Sequence, residues 1–561
     1  MAVEMSTVAA GRLAPWQLGE LPEPPQFGAQ QWLALLGPGI VMAGAAVGAG
    51  EWLFGPAVTA QYGTTFLWLA TVSIVLQVVV NLEVMRYTLY CGEPVMIGYF
   101  RTWPGPRVWT VWYLILDFPA FWPLMAANAA VPLAAAFLGH LPGEGGLSFG
   151  GIVLSEVALV RILGYAVFLL GIVPLIFGGT IYQMLERVMV MKIVLVFGFL
   201  CLLAVFTVSA GTAVEVFTGF IRFGSAPVRA ETIIAGPHFA WTERDGPDRY
   251  TIRGSMENAE LRVTEFMVNR GGAVEVYRPN DPVPHGLKAI RSALVARVRP
   301  MIAEGRFFVE DTRSGMVLRI QGRITPEQTW EPERIVLSDS RGVRRYRRLD
   351  EVPEPIAELA ASFIADQGVE RVNVLGYLGQ HGQLPQLNWA MLAAFAGIAG
   401  AGGLSNTLFS NYARDKGWGM GKTVGAIPSA LGGRTILLSH VGKVFRAGDG
   451  AGDGAGDRWR RWMRHIVRDQ VVWLAACILG VALPCLLSLQ FIRHVPVEGH
   501  RVAALTADAI ARRHPEYQAL LWYSMLACGF LVLAPGQIFG GDAIARKWTD
   551  VIWNTSTRAR H

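Results

Sequence analysis

Gly37-Pro38-Gly39-Ile40-Val41-Met42-Ala43-Gly44-Ala45-Ala46-Val47-Gly48-Ala49-Gly50-Glu51-Trp52 is an apolar run carrying five glycines and, next to its end, a carboxylate. Glycine allows close approach and irregular backbone. A helix interrupted inside a bilayer can turn its free carbonyls and helix ends toward a solute. Glu51 matters most, because a carboxylate buried in hydrocarbon is costly unless it is neutralised, paired or ligated, and so marks a pathway or a site. The blander reading places Glu51 at the membrane interface, just beyond a glycine-rich packing helix.

The device recurs as Gly397-Ile398-Ala399-Gly400-Ala401-Gly402-Gly403-Leu404-Ser405-Asn406-Thr407. Its small residues could serve tight helix packing alone. Ser405, Asn406 and Thr407 also offer oxygen ligands at the break, with no carboxylate beside them, a mixture suited to a hard cation or a polar solute rather than a soft metal. Two glycine-interrupted helices, one in each half, point to a binding site more strongly than either alone.

The rest of the chain sets these breaks in a membrane. Of 561 residues, 52% are hydrophobic and 16% charged, against roughly a quarter charged in soluble domains. The net charge of +6 does not argue for nucleic acid, because the basic residues lie largely on loops beside apolar segments, as positive-inside placement requires. Cys91, Cys201, Cys477, Cys485 and Cys528 are scattered in or near spans and suggest neither a disulfide framework nor a thiolate cluster. The first 25 residues lack the layout of a cleaved signal, so the first span itself is expected to direct insertion.

Spans are expected at Trp32–Ala60, Phe66–Leu89, Val108–Leu138, Ile152–Phe177, Met189–Ala210, Leu387–Ser410, Val471–Ile492 and Ala519–Phe539, each near or above the roughly 20 residues needed to cross. Lys422–Ser439, broken by Pro428 and paired glycines, reads as re-entrant or interfacial, and Gly448–Asp457 as a flexible linker. The resulting division is a polar segment 1–31, spans one to five in 32–223, an insert in 224–387, span six with the re-entrant piece in 388–447, the linker 448–457, a basic loop with spans seven and eight in 458–545, and a tail 546–561. With cytoplasmic termini, Arg86, Arg101, Arg107, Arg187, Lys192 and the basic Arg458–Arg468 region fall inside and the insert falls outside. The protein is therefore expected in the cell membrane as a multi-pass chain.

The insert changes character. Short β-like runs at Ala273–Tyr277, Phe307–Val309 and Met316–Ile320 flank a helical pattern in Gly286–Val298, closed by Pro300. This mixture predicts a compact soluble α+β domain.

The membrane part resembles the Nramp family of proton-coupled divalent-metal transporters and its divergent relatives. Gly37-Pro38-Gly39 followed by Gly48–Trp52 is similar to that family's first-span Gly-Pro-Gly and Asp-Pro-Gly-Asn, with Gly48 at the Asp position, Ala49 at the Pro position, Gly50 retained and Glu51 at the Asn position. The sixth-span Met-Pro-His-Asn aligns with Leu404, Ser405, Asn406 and Thr407. The metal-binding Asp, Asn and Met are thus all replaced, and the His associated with proton movement is Asn406. The resemblance implies an all-α, LeuT-like core of two inverted five-span repeats with broken spans one and six, so a count of eight leaves the second repeat two crossings short. Ala534-Pro535-Gly536-Gln537 is similar to the family's eighth-span pattern.

These readings predict secondary transport of a hard divalent cation, magnesium ahead of manganese, with no cofactor required and proton coupling left open. The expected site comprises Gly48, Glu51, Gly403, Leu404, Asn406 and Thr407, with Asp117 and Gln537 as pathway candidates. Each of the last two has a structural alternative, an interfacial ion pair and a helix–helix hydrogen bond. Transport of a non-metal polar solute is the alternative within the same class. A receptor or scaffold that captures an external protein through the insert is the alternative outside it. No catalytic constellation is evident, so an enzyme is not expected.

Overall fold

The computed structural model describes residues 13–25, 37–425, 441–445, 454–492 and 502–556, apart from Ala49, residues 177–180 and other single positions and short turns. The start of the first span, most of Lys422–Ser439 and residues 448–453 of the linker lie outside the described residues. The chain divides into two units, Met1–Phe223 with Asn388–His561, and Gly224–Leu387.

In the first unit, α1 (Pro38–Ala46) starts on a proline, whose missing N–H is no loss at a helix start. It stops after nine residues. A π-helical turn, Gly50–Phe54, and α2 (Gly55–Tyr62) follow, and such turns often sit at functional positions. The long α3 (Leu67–Cys91) ends on Gly92 in the left-handed conformation, φ 75°. The stretch read as a single third span is two helices, α4 (Pro106–Asp117) and α5 (Leu124–Leu138), with a 3-10 turn at Phe118–Phe121. Pro119 and Pro123 fall in the gap and account for it, since proline removes a donor and cannot continue a regular helix.

Ile152–Ser155, read as the start of the fourth span, is a strand paired with Gly146–Phe149. Helix α6 (Glu156–Ile176) begins only at Glu156, whose carboxylate accepts the Gly143 N–H at 2.6 Å. Next come α7 (Ile181–Thr207) and α8 (Ala210–Gly219), the latter capped by Ser209 accepting the Thr212 N–H at 3.2 Å. On α6 and α7, Leu169, Leu170, Val205 and Phe206 point outward without cover, which suits lipid and would be unfavourable in water.

The second unit is built on a nine-stranded antiparallel sheet. Its strands are β1 (Thr232–Ala235), β2 (His238–Asp245), β3 (Asp248–Glu257), β4 (Glu260–Arg270), β5 (Ala273–Tyr277), β6 (Arg306–Arg313), β7 (Met316–Ile324), β8 (Trp330–Asp339) and β9 (Gly342–Tyr346), in the spatial order β9-β8-β7-β6-β1-β2-β3-β4-β5. Helix α9 (His285–Ala303) follows β5 and α10 (Ile356–Ala365) follows β9. The sheet thus consists of two four-strand-plus-helix modules, β2–β5 with α9 and β6–β9 with α10, on either side of the central β1. Each carries a register shift at a glycine, Gly254 in β3 and Gly322 in β7. A Cβ at these glycines would lie 2.8 Å from the Phe239 ring and 2.7 Å from the Phe307 ring respectively, so the aromatic fills the same notch in both modules.

Two cores result. One joins Ile233, Val309, Leu318 and Ile320 to Phe363 of α10. The other joins Ile234, Phe239 and Ile252 to Leu287, Leu294 and Val298 of α9. Because Ile233 and Ile234 are consecutive on one strand, their side chains point to opposite faces, and the two helices cover opposite faces of the sheet. A short α11 (Val374–His381) follows, capped by Asn373.

The first unit resumes with α12 (Trp389–Ile398), a 3-10 turn at Gly403–Thr407 and α13 (Leu408–Asp415). Helix α14 (Ala455–Phe491) runs 37 residues and absorbs the Arg458–Arg468 region that the charge pattern placed in a loop. Trp462, His465, Ile466 and Asp469 are buried at helical spacing, so packing of this stripe extends the helix well ahead of its apolar part. Helix α15 (Val502–Arg513) precedes α16 (Gln518–Thr555).

Among the described residues, six helical stretches are long and apolar enough to cross a membrane: Pro38–Cys91, Glu156–Ile176, Ile181–Thr207, Trp389–Asp415, Ala455–Phe491 and Pro515–Thr555. The first spans 54 residues, and Leu124–Leu138 is a shorter apolar helix. The protein is a multi-pass, mostly helical membrane protein with an inserted antiparallel β-sheet domain.

Candidate functional site at the two helix breaks

Between α12 and the Gly403–Thr407 turn the backbone leaves helical geometry, and Gly400, Gly402 and Gly403 take φ of 88°, 58° and 53°. L side chains rarely adopt that region, which is why the glycines cluster here. A helix that stops inside a membrane leaves N–H and C=O groups that lipid cannot satisfy, and α3 supplies the substitutes. Gln77 donates from Nε2 to Ala399 O at 2.7 Å, and its Oε1 accepts the N–H groups of Ala401 and Gly402 at 2.9 and 3.0 Å. Ser73, one turn earlier, donates to Ala396 O at 2.6 Å.

Another donor at this break, Gly400 N–H, is taken by Glu51 Oε1 at 2.8 Å. Glu51 is fully buried, and its Oε2 has no hydrogen-bond partner among the described residues. The approach of the two breaks is close at main-chain level too, since a Cβ on Gly50 would sit 2.5 Å from Ile398 O. One carboxylate therefore joins the first break to the break after α12, called break six below after its place in the expected span order.

At break one the freed helix ends meet charged side chains. The Gly39 N–H, at the start of α1, lies 3.0 and 2.9 Å from the two carboxylate oxygens of Asp469 in α14. At the other end of α1, the Lys192 ammonium of α7 donates to Gly44 O at 2.7 Å. Each charge has the sign that the local helix end favours, a carboxylate at the N-terminus and an ammonium at the C-terminus. A polar seam continues from Asp469, where Gln470 Oε1 accepts from Asn81 Nδ2 at 3.0 Å. Asn81 lies one turn beyond Gln77, on the same face of α3.

The expected site residues divide. Gly48 O accepts the Trp52 N–H at 2.9 Å inside the first break. Gly403, Leu404, Asn406 and Thr407 form the 3-10 turn beyond the second break, where Thr407 Oγ1 donates to Leu404 O at 2.6 Å. Asn406 is buried, and its Oδ1 has no hydrogen-bond partner among the described residues. Asp117 lies elsewhere, ion-paired with Lys547 and accepting the Trp548 Nε1–H at 3.1 Å. Gln537 packs toward α6, where a Cβ on Gly171 would lie 3.0 Å from its Cγ.

Sequence reasoning missed Ser73, Gln77, Lys192 and Asp469 as parts of the site. Lys192, counted as a loop charge, is 2% exposed inside α7. The signal for Ser73 and Gln77 was available, as two polar residues four apart in an apolar span.

A second buried polar cluster ties α13 to α16. Arg414 donates to Asp415 and Asp550, each at 2.9 Å. Arg546 contacts Asp415 and makes a two-point contact with Asp542 at 3.1 and 2.8 Å, and Tyr412 also donates to Asp542, at 2.9 Å. Three carboxylates and two guanidiniums, all nearly sealed from solvent, hold one another here. Such geometry is structural first, because removing one member strands the others. Among the described residues, no group of three or more His, Cys, Asp or Glu side chains is arranged to hold a metal ion. No family model, curated protein or solved structure matches the chain.

Proposed function

We propose that this protein is a secondary transporter with a LeuT-like arrangement of broken helices, and that its solute binds where Glu51 meets the break after α12. The observation that carries this reading is the bridge from Glu51 Oε1 to Gly400 N–H, with Oε2 left as a buried acceptor without a partner. A transporter needs a polar point of contact that belongs to both halves and can change as they move, and this carboxylate belongs to both breaks.

A hard divalent cation is the first substrate class. The acceptors this reading assigns to the ion are oxygens, Glu51 Oε2 and Asn406 Oδ1, both buried and without a hydrogen-bond partner among the described residues. Magnesium keeps much of its hydration and commonly uses one or two carboxylates, so a one-carboxylate site suits it better than metals that need a full protein cage. Manganese comes next. The proton-carrying role that the Nramp resemblance implies for His passes to Glu51, and the insert lies on the outer side.

A specific observation favours a second reading. Lys192 and Glu51 lie within electrostatic range of each other, and a fixed ammonium disfavours an incoming dication. A polar organic solute, carrying donors for Oε2 and Asn406 Oδ1, would not meet that repulsion.

Uptake into liposomes holding the purified full-length chain separates the two, using magnesium, manganese, calcium and a panel of neutral and zwitterionic solutes. Saturable, protein-dependent magnesium flux supports the first reading. Flux of an organic solute with no divalent-cation flux or binding supports the second. Absence of any flux from a folded preparation removes the transporter assignment and leaves the insert, as a partner-binding domain, to carry the function.

A further inference from the structure

Helix α11 (Val374–His381) has only 8 residues, below the roughly 12–15 at which a helix stands by itself in water. Its ends are well made. Asn373 accepts the N–H groups of Leu375 and Gly376, each at 3.0 Å, and Gly382 closes the other end at φ 66°. Caps do not supply the burial that so short a helix needs. At about 100° per residue, Val374, Leu375, Tyr377 and Leu378 fall on one side of α11 and Gly376 on the other. That apolar side is open, with Leu375 75% and Leu378 38% exposed.

The chain holds this open face near the bilayer from both directions. The Val374 N–H donates to Gly224 O at 2.8 Å, and Ser225–Arg229 pairs antiparallel with Val369–Asn373, so α11 starts where the chain of the second unit starts. Gly224 follows the end of α8 at Gly219, a reach of at most about 18 Å. Along that path the uncovered apolar surface of α7 continues through Val214 and Phe217 of α8 to Ile221 and Phe223, all exposed. In the other direction, the exposed Leu384 leads to α12, which begins at Trp389. Tryptophan gathers where a span meets the headgroups, and Trp389 is itself 44% exposed.

We propose that α11 is an interfacial anchor, its Leu375–Leu378 face lying in the headgroup boundary of the bilayer that the neighbouring spans cross. A short amphipathic helix gains there the burial that the protein does not give it, and Tyr377 beside the leucines suits the same boundary. The anchor holds the second unit at the membrane surface beside the start of α12. It is independent of which solute passes at Glu51.

The test places a spin label on a cysteine at Leu375, Leu378 or Gly376, one at a time, in the full-length chain in liposomes, with the exposed Cys201 replaced by serine. Labels at Leu375 and Leu378 are expected to be relaxed more by oxygen, which concentrates in lipid, than by a water-soluble nickel chelate, and the Gly376 label the reverse. Preference for the chelate at all three positions puts the helix in water and overturns the proposal. Shielding of Leu375 and Leu378 from both reagents also overturns it, because a second copy or another protein then covers the face. Amide exchange gives an independent reading. In liposomes, Leu375→Asp combined with Leu378→Asp should speed exchange across α11 about ten-fold while the sheet of the second unit stays as protected as before. Unchanged exchange in α11 would show that lipid does not support it.

Discussion

The two breaks meet the same difficulty, backbone groups stranded in hydrocarbon, with different chemistry. Break one is held by charges, Asp469 on the Gly39 N–H and Lys192 on Gly44 O. Break six is held by neutral groups, the Gln77 amide and the Ser73 hydroxyl, and the charge it does receive, Glu51, comes from break one. Charge-assisted hydrogen bonds are roughly twice as strong as neutral ones, and they match the helix-end dipoles of α1. Break one is thus the more strongly held element, and break six the one with the weaker bonds.

The largest expected effect comes from Gln77→Ala. It would leave the N–H groups of Ala401 and Gly402 without their partner and Ala399 O with only the longer contact of the Ser73 hydroxyl at 3.4 Å, at ~1–3 kcal/mol for each stranded group. Chemical unfolding should show a loss of at least ~2 kcal/mol, with flux abolished. A near-neutral result would mean that break six does not depend on α3, and the contrast between the breaks would fail.

Gly50→Ala comes next. The added methyl meets backbone at Ile398 O, which cannot swing away as a side chain can, so the breaks must separate at a cost of ~1–3 kcal/mol. The Glu51–Gly400 bond should lengthen, and flux should fall more than stability does. Equal losses in both would place Gly50 in packing alone.

Asp469→Asn is the smallest of the three. The amide oxygen can still accept the Gly39 N–H, so only the charge-assisted part of the interaction is lost, about 1 kcal/mol. The sharpening comparison is Asp469→Ala, which should cost about twice as much. If the asparagine and alanine variants lose the same amount, charge is what matters and the hydrogen bond is incidental.

What could be read without coordinates was whatever repeats locally. Long apolar windows marked the membrane helices, and alternation in Ala273–Tyr277 and Met316–Ile320 marked strands of the insert. Glycines at 400, 402 and 403 marked the region where helix gives way to irregular backbone. What escaped depends on partners far away in the chain. Gln77 looks like one polar residue in an apolar helix until residues more than three hundred positions later are placed against it. Lys192 looks like a positive-inside loop charge until α1 is packed on α7 at Gly44. The module repeat in the insert was hidden because it is carried by strand order and by glycine–aromatic notches, with little similarity of sequence between the two halves.

The central claim, that one carboxylate joins the breaks and supplies the charge for transport, is tested most directly by Glu51→Gln in liposomes, measuring solute binding and flux beside the wild type. Glutamine can still accept the Gly400 N–H, so the account predicts a folded protein of nearly wild-type stability whose solute affinity and flux are lost together. A Glu51→Gln protein that binds and transports as the wild type does would contradict it.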